Sequence, residues 1–144
     1  MRSERPNILI VDDDVDTCNQ LPALLQSEGD NYHITTSHTF HGAQLLMNTR
    51  RFDLFITEYF IPNDQTVSAF CHSIKLVSPN SPFIVYSKFD EKNAREDALG
   101  AGVDVYLVKP NDMDKICSSV RDLISKNDRS LEAGTGRRSS TTIL

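Results

Sequence analysis

The sequence predicts an α/β protein, a doubly wound sandwich with a parallel five-stranded sheet between two layers of helices. Short apolar runs alternate with longer stretches at helical spacing, five times over. Four of the five runs are nearly continuous in apolar character, as strands buried on both faces require. Four of them also close on charged or hydroxyl residues, and sheets of this kind bind ligands outside the carboxyl ends of their strands.

The elements follow in order. Residues 8–11, "ILIV", predict the first strand. Val15, Cys18, Leu21, Leu24 and Leu25 predict a helix over 15–28, with Pro22 inside it expected to kink it or loosen a turn. Residues 32–36, "YHITT", mix in polar side chains and suit a strand at the sheet edge. Phe40, Ala43, Leu46 and Met47 predict a helix over 39–49. A third strand spans 54–57, and Val67, Phe70, Cys71, Ile74 and Val77 predict a helix over 66–77. The fourth strand is 83–87, followed by a short, weakly apolar helix over 91–100. The fifth strand is 104–108. The clearest amphipathic pattern, with Met113, Ile116, Cys117, Val120, Leu123 and Ile124, predicts a helix over 113–126. Residues 127–144 are rich in Ser, Thr, Gly and charge and read as a flexible tail. The domain is therefore expected over 1–126, with no output domain after it.

Composition narrows the function. The 144 residues suit one core, and a net charge of −5 argues against a nucleic-acid partner. Three widely spaced cysteines suggest reduced core thiols in a cytoplasmic protein rather than a disulfide framework or zinc site. The apolar run after "MRSERPN" is too short for a signal peptide or a membrane span. The four histidines are scattered and read as surface.

The strand ends carry the chemistry. The first ends in Asp12, Asp13 and Asp14, the third in Glu58, the fourth in Ser87 and Lys88, and the fifth in Lys109 before Pro110. Paired acids can hold Mg2+ through oxygen ligands. A carboxylate can accept a phosphoryl group as an acyl phosphate. A lysine supplies a point charge, and a hydroxyl a hydrogen bond, to its oxygens. Asp14 also suits the cap of the first helix.

The pieces "ILIVDDD", "FDLFITEYFIP", "FIVYS" and "VYLVKP", in this order over residues 6 to 125, resemble the receiver domains of two-component response regulators. The resemblance implies the flavodoxin-like (βα)5 fold with strand order 2-1-3-4-5. It places Asp12 and Asp13 at the Mg2+-binding acidic pair, and Ser87 and Tyr106 at the switch positions. Lys109 falls on the site lysine, and Pro110 on a proline often preceded by a cis bond. Glu58 falls on the phosphoacceptor, where the family has Asp. Three further departures lie nearby: Ile61-Pro62 for the usual Met-Pro, Thr66 for a small residue, and Lys88, a shield for the site, for a small residue after the hydroxyl.

Glu is one methylene longer than Asp, and a misplacement of about 1 Å costs on the order of a hundredfold in an in-line transfer. Glu58 is therefore expected to be a poor acceptor. It either biases the switch residues partway, as a group of lower charge than phosphate, or leaves an inert scaffold. The expected role is a signalling and interaction module, not an enzyme. Mg2+ is expected as a possible cofactor, with its binding weakened, or absent where Glu58 or Lys109 fills its place. Its partners would be a sensor kinase, a phosphotransfer protein or an effector, with a homodimer formed through residues 90–126. Lys92, Arg95, Glu96, Asp97 and Arg121 are the exposed candidates on that face. The alternative is a Mg2+-dependent phosphatase or phosphotransferase using Asp12, Asp13 and Glu58, which a sizeable cleft over the strand ends would favour. A flavodoxin-type cofactor binder is rejected, because "VDDDVD" would repel a phosphate in the absence of metal.

Overall fold

The computed structural model describes residues 5–138, with side chains through residue 128. Five strands alternate with five helices: β1 (Asn7–Val11), α1 (Val15–Ser27), β2 (His33–Ser37), α2 (Phe40–Met47), β3 (Leu54–Thr57), α3 (Val67–Val77), β4 (Phe83–Ser87), α4 (Lys92–Gly100), β5 (Val105–Val108) and α5 (Ile116–Arg138). A 3-10 turn, Met113–Lys115, leads into α5. The strands are parallel, in the order β2-β1-β3-β4-β5.

Alternation along the inner strands splits the core into two apolar layers. Leu9, Val11, Phe55, Phe83 and Val85 face Phe40, Phe70 and Ile74 of α2 and α3. Phe55 stacks on Phe83 with ring centroids 4.6 Å apart. Ile8, Ile10, Leu54, Ile56, Ile84 and Tyr86 face Leu21, Leu25, Ile116, Val120 and Ile124 of α1 and α5. Three sheet positions in β2 are only partly buried and two are exposed, as an edge strand covered on one side would be. Among the helices, α4 is the least anchored, burying only Ala94 and Ala98.

The helices follow the sequence expectations with one departure, at the end of the chain. Helix α1 continues through Pro22 in one span. Helix α5 continues past residue 126 as far as Arg138, so the boundary drawn there falls inside a helix. Residues 139–144 of the expected tail lie outside the described residues. Among the described residues, no helix is long and apolar enough to cross a membrane.

The register brings the polar strand ends together. Val11 lies beside Thr57, and Ser87 beside Val108. The next residue of each strand therefore emerges at one edge: Glu58 N donates to Val11 O at 2.8 Å, and Lys109 N to Ser87 O at 2.8 Å.

Candidate functional site

At this edge a lysine sits between two acids. Lys109 Nζ lies 2.8 Å from Asp12 Oδ2 and 3.3 Å from Glu58 Oε1. Asp12 is 2 % exposed and Glu58 4 %. The remaining oxygens are also committed: Asp12 Oδ1 accepts from Asp14 N at 2.8 Å, and Glu58 Oε2 from Tyr59 N at 2.6 Å. The turn after β5 holds the lysine in place. Asp112 Oδ2 accepts from Val108 N at 2.8 Å, and Asp112 N donates back to Val108 O at 2.9 Å. The Lys109–Pro110 bond is cis. Lys109 Nζ also lies 5.6 Å from the centre of the Tyr86 ring.

Two carboxylates share one ammonium out of water, and both burial and the neighbouring charges bear on their proton-binding equilibria. Burial raises the Asp12 carboxyl above its ordinary value, against the hydrogen bonds from Lys109 and Asp14. For Lys109, burial acts downward, but the hydrogen bond to Asp12 and the charges of Asp12 and Glu58 outweigh it and leave the ammonium raised.

Asp13 and Asp14 are exposed beside this triad. Asp14 is the N-cap residue of α1, with extended backbone, but its side chain makes no hydrogen bond to the helix backbone. Its Oδ2 accepts from the Thr17 hydroxyl at 2.7 Å instead, and that bond lowers its pKa.

Ser87 is fully buried, and its Oγ accepts from Phe89 N at 3.1 Å. Tyr106 is 7 % exposed and donates its phenol to Phe89 O at 2.6 Å. The two switch candidates thus grip neighbouring groups of one loop. Burial pushes the Tyr106 phenol up to about 12. Arg95 of α4 covers the Tyr106 ring, its guanidinium carbon 5.0 Å from the centroid, and pairs with Asp90 at 2.5 Å.

An open cleft of about 520 Å³ lies over the strand ends, lined by Asp13, Asp14, Glu58, Lys109 and, on its far wall, Phe60, Phe89, Lys88 and Pro62. Phe60 and Phe89 meet edge to face at 6.2 Å. Lys88 is exposed at the rim, where a shielding side chain was expected.

A Mg2+ ion needs free carboxylate oxygens in near-octahedral placement. Here Asp12 and Glu58 turn an oxygen each to an ammonium and the other to a backbone N–H. As arranged, these residues do not fit a divalent ion. Among the described residues, no group of three or more His, Cys, Asp or Glu is placed to hold one.

The sequence placed Asp12, Glu58, Ser87 and Lys109 at one edge, and the structure gathers them there. It missed Tyr59, whose phenol donates to Asp97 Oδ2 at 2.9 Å, and Ser68, whose hydroxyl donates to the same oxygen at 2.7 Å. Arg121, expected on the face formed by residues 90–126, turns instead to the loop after α1. There it pairs with Asp30 at 3.1 Å and Glu28 at 3.8 Å. Lys92 and Glu96 lie 3.9 Å apart on the exposed side of α4.

Comparison with known proteins gives a consistent result. Residues 8–121 match the family model described as response regulator receiver domain. The transcriptional regulatory protein ZraR of Salmonella typhimurium is 31% identical over 110 residues, covering 76% of this chain and 24% of that protein. ZraR of Escherichia coli is 28% identical over 137 residues, covering 94% of this chain and 30% of that protein. The chain thus spans about a quarter to a third of the length of these relatives. Among solved structures, a CheY-like receiver domain protein from Methanospirillum hungatei superposes with a TM-score of 0.79 at 19% identity, covering 88% of this chain and 98% of that one. The signal receiver domain of an HD-domain protein from Pseudomonas fluorescens gives 0.80 at 22% identity, covering 92% and 96%. At these identities the structural likeness shows the fold.

Proposed function

The chain belongs to the response regulator receiver domain family, and from that premise we propose that it is an atypical receiver, a signalling module that acts through protein contacts and takes no phosphate at the usual position. Glu58 stands at the phosphoacceptor position on this reading. The observation that carries it is the state of that carboxylate: 4 % exposed, one oxygen on Lys109 and the other on Tyr59 N. A nucleophile needs a free lone pair facing the donor, and both oxygens of Glu58 point into the protein's own hydrogen bonds.

Asp12 and Asp13 are the remnant of the metal pair, and Lys109 supplies the positive charge between the carboxylates. Ser87 and Tyr106 are the switch pair, held by Phe89 without a phosphate. The partners are a kinase, phosphotransfer protein or effector. The face of residues 90–126, carrying the exposed Lys92 and Glu96 with opposite charges, is the surface for a homodimer.

Intact mass after incubation with a small phosphodonor and Mg2+, on the wild type and Glu58→Asp in parallel, tests this reading. A phosphate on the Asp variant alone is the expected result. A phosphate on the wild type at Glu58 refutes it. Neither protein gaining one shifts the reading to a scaffold whose pocket has lost the chemistry altogether.

The cleft volume favours a second reading, a Mg2+-dependent phosphatase or phosphotransferase using Asp12, Asp13 and Glu58, since about 300–1,000 Å³ is typical of ligand sites. Against it stands the commitment of Asp12 and Glu58 to Lys109. Mg2+-dependent turnover of a small phosphate ester that Glu58→Gln abolishes would establish it.

A further inference from the structure

Helix α4 is weakly held by its apolar face, since it buries only two alanines. Polar ties do the rest. Asp97, on its exposed side, receives two hydrogen bonds at one oxygen: the Tyr59 phenol at 2.9 Å and the Ser68 hydroxyl at 2.7 Å. Tyr59 directly follows Glu58, and its backbone N–H donates to Glu58 Oε2 at 2.6 Å. Its ring meets Phe89 at 6.0 Å and lies 6.4 Å from Tyr106. One residue therefore touches the buried carboxylate with its main chain and α4 with the tip of its side chain.

We propose that Tyr59 is a strap through which Glu58 fixes the position of α4. The geometry has the features such a device needs. The main-chain end is set by a charge-assisted bond, stronger and more directional than a neutral one. The far end is also charge-assisted, on a carboxylate whose second donor, Ser68, comes from α3. Between them lies a rigid ring with two torsions, packed in an aromatic cluster. Consistent with this, burial and the bond to Asp97 raise the Tyr59 phenol above its ordinary value, so that it remains a donor. Turning Glu58 away from Tyr59 N would free the peptide, tilt the ring and weaken the bond to Asp97. Helix α4 would then depend on its two alanines, on the Ser68 bond to Asp97 and on Arg95 over Tyr106. The proposal deepens the interaction reading, because α4 belongs to the face assigned to partners.

Amide hydrogen exchange over residues 92–102 tests it, on the full chain as wild type, Tyr59→Phe, Glu58→Gln and the double variant. Tyr59→Phe is expected to exchange about three- to tenfold faster there, the loss of one side-chain hydrogen bond at the surface. Glu58→Gln is expected to exchange about twofold faster or more in the wild-type background and no faster in the Tyr59→Phe background, because both act through one chain of contacts. Asp97→Ala, a change at an exposed position outside the aromatic cluster, removes the acceptor of both bonds and is expected to speed exchange at least as much as Tyr59→Phe. Wild-type exchange in Tyr59→Phe or in Asp97→Ala overturns the strap. So does a Glu58→Gln effect of equal size in both backgrounds. The measurement needs no partner and no phosphodonor, so a null here refutes the strap and leaves the interaction reading to its own test.

Discussion

Replacing Lys109 with Met is the sharpest test of the triad. The ammonium lies 2.8 Å from Asp12 and 3.3 Å from Glu58, and both acids are at most 4 % exposed. Methionine keeps the length and the packing but removes the charge, leaving two carboxylates out of water with no counterion. Breaking a buried ion pair from one side costs about 3–5 kcal/mol. For a domain of this size that is a fall of about 10–15 °C in Tm. The deficit should also depend on pH. Burial already raises the folded Asp12 carboxyl, and losing Lys109 removes the hydrogen bond and charge that oppose it. A carboxyl raised in the folded state favours folding while protonated. That contribution is full below the ordinary carboxylate range and is lost as pH rises through the folded value. The deficit should therefore shrink between about pH 7 and about pH 5. Urea unfolding of both proteins at the two pH values is the assay. A loss below about 1 kcal/mol at neutral pH would show that water solvates these acids as it does surface pairs, and the triad argument would fail. A deficit that stays constant with pH would refute the part assigned to Asp12.

Two further outcomes follow from the same geometry. Mg2+ at about 10 mM should leave the wild-type Tm within about 1 °C, as a dissociation constant well above that concentration requires. A larger rise would mean that Lys109 yields its place to the ion. Burial pushes the Cys18 and Cys71 thiols up to about 11 and also raises Cys117. At about pH 8 only on the order of one thiol in a thousand is then ionised at the first two sites. Alkylation of the native protein should be slow, with all three cysteines reacting on unfolding. A rapidly labelled Cys71 would contradict its place in the core.

Much of the fold was legible because burial leaves a periodic trace. Strands β3 and β4 fall on the residues read from the sequence, since a strand covered on both faces must be apolar throughout. The edge position of β2 followed from its polar admixture. Helix α1 was legible as one span from its apolar spacing, and the structure carries that span through Pro22 with Leu21 and Leu25 buried. The continuation of α5 to Arg138 was missed because its last residues carry little apolar pattern to announce a helix.

The site divides in the same way. The chain order of acids, hydroxyl and lysine at the strand ends determined which groups meet, once parallel strands were inferred. Sequence alone also gave Glu58 a carboxylate one methylene longer than that of Asp, because a side chain's length and charge are intrinsic to it. Only the tertiary structure decided how those groups share their bonds. Lys109 approaches Asp12 more closely than Glu58, Tyr59 joins the site to Asp97 thirty-eight residues away, and Arg121 turns away from the face it was assigned to. Periodicity records which side of an element is buried. A hydrogen bond between polar tips depends on where two distant backbones come to rest, to within a few tenths of an ångström, and no local pattern carries that information.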